Sequence, residues 1–117
     1  MTDFDPAAER AARDWLALTD RGEAAASWEA ATSLFRRAVS VQQWEQSLAA
    51  VRGSLGAVVS RRVETARAAT ELPGAPDGEY VVFQFASVFE HKRAAIETVT
   101  PMRDADGEWR VSGYFIR

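Results

Sequence analysis

The apolar residues of this chain keep two different periods, and the switch falls at Gly56. Upstream they recur at steps of three and four, which places them on one side of a helix. Downstream, β-branched and aromatic residues gather in three runs, 79–85, 94–100 and 108–116, with two-residue alternation. Short turn-forming segments separate these runs, so they pair as an antiparallel meander. An extended stretch from Ala57 to about Leu72 supplies one more strand ahead of them. The expected fold is α+β: three N-terminal helices packed on a curled four-stranded antiparallel sheet, a cup-like shape. A length of 117 residues fits one domain, 1–117, with helices over about 6–55 and the sheet over about 57–117.

Local signals mark the helix ends. Asp5 is an N-cap residue, Pro6 suits the first helical position, and Gly22 supplies a stop. Ala8, Ala12, Trp15 and Thr19, with Ala11 and Leu18 alongside, form the less polar stripe of this helix. A second helix is expected over about 23–39, with Ala24, Trp28, Ala31, Phe35 and Ala38 on one face. The third opens on a capping box, Ser40 to Gln43, and carries Val41, Trp44, Leu48, Val51 and Leu55. Gly53 and Gly56 break it.

Alternation then divides the sheet into two faces. Val81, Phe83, Phe85 and Phe89 share one side of their strand. Ala94, Ile96, Thr98, Thr100 and Met102 are assigned to the same face on the next strand, and Trp109, Val111, Gly113 and Phe115 on the last. These positions are expected to meet the helices, with Trp28, Trp44, Phe83, Phe85 and Phe115 buried. The opposite face takes Tyr80, Val82, Gln84, Val88, Glu97, Val99, Arg110, Ser112, Tyr114 and Ile116. It is half apolar, more than a solvated sheet face needs, and this predicts a homodimer formed through it.

Composition excludes several classes of chemistry. There is no cysteine and one histidine, so disulfides, thiolate nucleophiles, Cys-ligated metals and histidine-rich metal sites are ruled out. A net charge of −3 with scattered Lys and Arg gives no basis for nucleic-acid binding. No run reaches the roughly 18 apolar residues of a membrane span. Residues 1–10 are polar and acidic, with no apolar leader core. The chain as written therefore reads as cytoplasmic, or as periplasmic or secreted if a leader was removed. No cofactor is expected, because neither a glycine-rich phosphate loop nor a nucleophile elbow is present. Asp77-Gly78 and Asp104-Ala105-Asp106-Gly107 are explained by turn chemistry and lack the remaining ligands of a calcium loop.

The candidate site residues are Arg61, Glu97, Arg110, Tyr114 and Trp44. Glu97 lies mid-strand and is expected near Arg110 and Tyr114 on the adjacent strand. It then makes either a cross-strand ion pair or a carboxyl–phenol site like that of a steroid isomerase. Arg61 and Arg62 point to opposite faces, so one of them meets the helices. There it pairs with a helix carboxylate, Asp14, Asp20 or Glu45, or receives an anion, since an unpaired buried charge is too costly. Trp44 joins Trp15, Trp28 and Trp109 on apolar stripes, as core or as the lining of an aromatic pocket. His91 falls in a tight turn between Glu90 and Lys92, where a side chain is exposed and without an orienting partner.

Further blocks carry a family resemblance: Trp15-Leu-Ala-Leu-Thr-Asp20, Ser27-Trp28, Val41-Gln42-Gln43-Trp44, Arg52-Gly53-Ser54-Leu55-Gly56, Asp77-Gly78-Glu79-Tyr80 and Asp106-Gly107-Glu108-Trp109 through Tyr114. In this order, over nearly the whole chain, they resemble a bacterial family known only as domain of unknown function 4019. Several members of it look secreted or lipid-anchored, and this chain, as written, is expected to differ from them in lacking a leader. The helix–helix–helix–sheet order also resembles the nuclear transport factor 2-like, or cystatin-like, superfold. That fold hosts enzymes, binders and oligomerisation modules alike. The functional expectation is a non-enzymatic domain that binds a small ligand or a protein. The alternatives are a small isomerase- or hydratase-type enzyme using Glu97 with Tyr114 or an Arg, and a periplasmic or lipoprotein accessory domain.

Overall fold

A computed structural model describes residues 4–117; residues 1–3 of the single domain expected over 1–117 lie outside the described residues. The order is α1 (Pro6–Asp20), α2 (Ala24–Ala30), α3 (Ser33–Ala38), α4 (Val41–Leu55), β1 (Val58–Ala69), β2 (Tyr80–Phe89), β3 (Lys92–Arg103) and β4 (Trp109–Ile116). The four strands form one antiparallel sheet in the order β1-β2-β3-β4. Asp5 caps α1 by accepting from Ala7 N–H, and Ser40 with Gln43 forms the capping box of α4. The main core joins Ala8, Ala12, Trp15 and Leu16 of α1 and Trp44 and Leu48 of α4 to Val81, Phe83, Phe85, Val99 and Val111. A smaller cluster of Leu55, Phe89 and Ala95 closes one end.

The helical half differs from expectation at one point. The single helix expected over 23–39 is two, because Ala31 and Thr32 are extended, with ψ of 170° and 160°. The Thr32 side chain accepts from Phe35 N–H at 3.2 Å, and its own N–H donates to the Val111 carbonyl at 2.9 Å. A new N-cap and an anchor on the sheet replace one helical turn, a tertiary bond overriding local periodicity.

The sheet faces also differ. Phe85 stands opposite Glu97 and Phe83 opposite Val99, so Ala95, Glu97, Val99 and Pro101 are the β3 residues that turn inward. Ala94, Ile96, Thr98, Thr100 and Met102 lie on the outer face instead. In β4, Thr100 pairs with Gly113 but Pro101 with Val111, leaving Ser112 as an extra bulged residue. A bulge shifts the alternation, so Val111 and Tyr114 both point inward. Phe115 points outward, 57% exposed, where burial was expected. Trp28 is only half-buried, whereas Tyr80 and Val99, expected on the outer face, are buried at 2% and 0% exposure. The Tyr80 ring lies against Gly78 and its hydroxyl donates to the Pro76 carbonyl.

Gly56 joins the two halves. It has φ of +77°, and a Cβ there would sit 2.8 Å from Glu90 Oε1 and 2.9 Å from His91 Cδ2. The β2–β3 turn is tied to the same spot by Glu90 N–H to Ala57 and His91 N–H to Leu55. Gly56→Ala is expected to cost about 1–3 kcal/mol, from left-handed backbone and contact together. Urea unfolding would check it; an unchanged midpoint would show that the turn moves aside freely.

Candidate functional site

Between the sheet and helices α1 and α4 lies a chain of buried charges. Each member arrives through a local feature of its element. Glu97 is carried inward by the β3 register. The irregularity between Val58 and Ser60 sets Arg61 opposite the inward-facing Ser87. Asp20 is the last residue of α1. Arg52 stands four residues after Leu48, on the apolar stripe of α4. Tyr114 turns inward because of the Ser112 bulge.

The Glu97 carboxylate is completely enclosed, at 0% exposure. Its Oε1 accepts from Arg61 Nε at 2.7 Å and from the Ser87 hydroxyl at 2.6 Å. Its Oε2 accepts from the Tyr114 hydroxyl at 2.6 Å. Arg61 also forks onto Asp20, with nitrogen–oxygen distances of 2.8 and 3.0 Å. Arg52 donates to Asp20 at 2.9 Å and to the Thr19 hydroxyl at 3.3 Å. Its guanidinium lies 4.8 Å from the centre of the Phe89 ring, a stabilising place for a desolvated cation. Two carboxylates thus face two guanidiniums, the condition under which buried charges persist.

The protonation equilibria follow. Burial pushes the Tyr114 phenol well above its ordinary range, and the negative Glu97 it donates to pushes further the same way. Burial also works against ionised Asp20, but the hydrogen bonds and charges of Arg61, then Arg52, outweigh it and hold the carboxyl low. Arg61 is held more firmly protonated than a free guanidinium, by Asp20 and Glu97 against its own desolvation. Asp20 is therefore a group whose folded pKa is depressed. Its contribution is complete above the unfolded value of 3.8 and disappears as pH falls below it. Asp20→Asn should lower stability at neutral pH and flatten the loss of stability on acidification below about pH 4, followed by urea midpoints against pH. An unaltered acid slope would show that Asp20 gains nothing from the two arginines.

The candidates named from sequence separate into three places. Arg61, Glu97 and Tyr114 come together, with Asp20 as the helix carboxylate that Arg61 meets. Both Glu97 and Tyr114 lie on the inner face, where the sequence had placed them outside. Arg110 is not beside Glu97; it pairs with Asp104 and Asp106 of the β3–β4 turn, at 3.0 and 2.8 Å. Trp44 is core, 8% exposed, packed on Trp15, Phe35 and Tyr114. All four indoles have partners: Trp15 donates to Ser27 O, Trp28 to Val39 O, Trp44 to Ser27 Oγ and Trp109 to Asp5. His91 is exposed in its turn. Among the described residues, no three of His, Cys, Asp and Glu converge as metal ligands, and no helix is long and apolar enough to cross a membrane. Sequence reasoning missed Arg52 and Ser87 as members of the network. Each carried a signal: Arg52 occupies a stripe position, and Ser87 shares the parity of Phe83 and Phe85.

Trp44 and Tyr114 also reach the surface. They floor a cavity of about 410 Å³ between α4 and β4, walled by Val39, Leu48, Val51 and Ile116 with Phe115 at the rim. The lining contains no charged residue. The exposed large apolar residues among those described are Val51 at 37%, Phe115 at 57% and Val59 at 66%, so two of the three border this groove. A second opening of about 430 Å³ lies over β1, β2 and β3, where Arg62 and Arg93 accompany Ala86 and Ile96.

The sequence profile of a family described as protein of unknown function, DUF4019, matches residues 11–114, and the chain belongs to that family. No curated protein and no solved structure matches the chain.

Proposed function

We propose that this member of the family is a non-enzymatic binding domain that works through the groove between α4 and β4. The observation that carries this is the contrast between the buried charges and the groove. Both oxygens of Glu97 are committed to protein donors, and no part of the residue reaches solvent. A general acid or base has to touch its substrate, so the carboxyl–phenol pair serves as scaffold. Two of the three exposed large apolar residues, Val51 and Phe115, border the groove, and an apolar, concave, uncharged surface is what a binding site requires.

The test follows the four indole N–H resonances while the apolar dye 8-anilinonaphthalene-1-sulfonate is titrated in. The Trp44 signal is expected to move and the signal of Trp109, which donates to Asp5 and does not line the groove, to stay. Val51→Lys should abolish the Trp44 shift without altering the spectrum otherwise. In the same titration read on the backbone amides, shifts confined to Ala86 and Ile96, with all four indoles unmoved, would place binding at the outer sheet opening and overturn the assignment.

A further inference from the structure

We infer that the partner taken up at this surface is a second copy of the chain, paired edge to edge through β4 about a two-fold axis at Phe115; this rests on the groove reading above. The backbone supplies the first reason. Ile96 and Arg117 exchange both their hydrogen bonds, at 2.9 and 3.0 Å. Bonded and non-bonded pairs alternate along an antiparallel ladder. Thr98–Phe115 is therefore bonded, while Glu97–Ile116 and Val99–Tyr114 are not. The N–H and C=O groups of Tyr114 and Ile116 point away from β3, towards the open edge. Among the described residues nothing else takes them up, whereas the Val111 carbonyl accepts from Thr32.

The two edges of the sheet are also defended differently. Edge strands are commonly kept from pairing by charge. Edge strand β1 carries Arg62, Glu64 and Arg67, all exposed. The segment Tyr114–Ile116 carries no charge, and neither does the groove beside it. A two-fold interface sets each residue near its own copy, so charges close to the axis would repel. Tyr114, Phe115 and Ile116 bring no charge to it.

Register follows from the same features. With the axis at Phe115, Tyr114 lies opposite the partner's Ile116, and each such pair exchanges two hydrogen bonds. Arg117 then lies opposite the partner's Gly113, clear of Thr32. Moving the axis to Tyr114 would bring Arg117 against the partner's Val111, whose carbonyl is occupied. The Phe115 axis leaves the two Phe115 residues as a non-bonded pair, with Cα atoms about 4.5 Å apart. Their rings cover one another on the outer face.

The absence of cysteine makes this register directly testable. A disulfide needs Cα atoms roughly 4.4–6.8 Å apart, a condition Phe115→Cys meets in this register and not with the edges paired about another residue. At micromolar concentration the wild type is expected to sediment at twice 12.9 kDa. Phe115→Cys should form a covalent dimer under mild oxidation, and Val59→Cys, as exposed but on the other edge, should not. Phe115→Lys should halve the mass with an unchanged far-ultraviolet spectrum. A monomeric wild type overturns the inference, and so does a dimer in which Phe115→Cys crosslinks no faster than Val59→Cys. If the wild type is monomeric while the dye still shifts Trp44, the groove remains a binding site and its partner is not this chain.

Discussion

Glu97→Leu is expected to lower folding stability by about 3–5 kcal/mol, the usual loss when one partner of a buried charge pair is removed. The replacement is apolar and of similar bulk, so packing is not the main cause. The loss comes from what Glu97 leaves behind: the Ser87 and Tyr114 hydroxyls lose their acceptor, and Arg61 keeps only Asp20. Each buried polar group left without a partner costs about 1–3 kcal/mol. The double variant Glu97→Leu with Arg61→Met is expected to recover part of the loss, because Asp20 retains Arg52 and the uncompensated cation is gone. Urea unfolding of the two single variants and the double gives the coupling between the residues. A single-variant loss below about 1 kcal/mol would show that water relieves the stranded groups, and would reopen Glu97 as a solvent-reaching carboxyl.

How far such a site can be read from sequence depends on which signals are local. The capping box at Ser40 and the cap at Asp5 lie within four residues and were legible. So was the requirement that an inward-facing Arg on β1 meet a helix carboxylate, since it follows from the cost of burying charge. The break at Thr32 was not legible, because its cause is the Val111 carbonyl, distant in sequence. The face of β3 was not legible for a different reason. Its two alternating sets, Ala94-Ile96-Thr98 and Ala95-Glu97-Val99, are nearly equal in apolar content, and the charge of Glu97 favours the wrong one. Only pairing with β2, whose odd positions are plainly apolar, settles the matter. In β4 the Ser112 bulge makes inward residues of both Val111 and Tyr114, which no strict alternation allows. These two inversions hid the network: they moved Glu97 and Tyr114 inward together, and they moved Phe115 to the surface.

The same inversions set a prediction opposite to the one that the sequence suggests for Val99. Were Val99 on an outer interface, Val99→Glu would separate subunits and leave each one folded. Val99 is instead wholly buried, with Phe83 on one side and Tyr114 on the other. The nearby guanidiniums are committed to Asp20 and Glu97. A carboxylate at this position would be buried without a cation of its own, or would have to take a proton, and would be larger than the valine it displaces. The expected cost exceeds about 5 kcal/mol, comparable to the whole stability of a domain this size, so the variant should lack a cooperative thermal transition. Phe115→Glu, sixteen residues later and directly beside Tyr114, should keep a cooperative transition as a folded subunit, because its side chain lies outside the subunit's core. Calorimetry of the two variants side by side decides the face assignment. A folded Val99→Glu with wild-type cooperativity would mean that β3 presents its other side to the helices, and that the Glu97 network faces solvent.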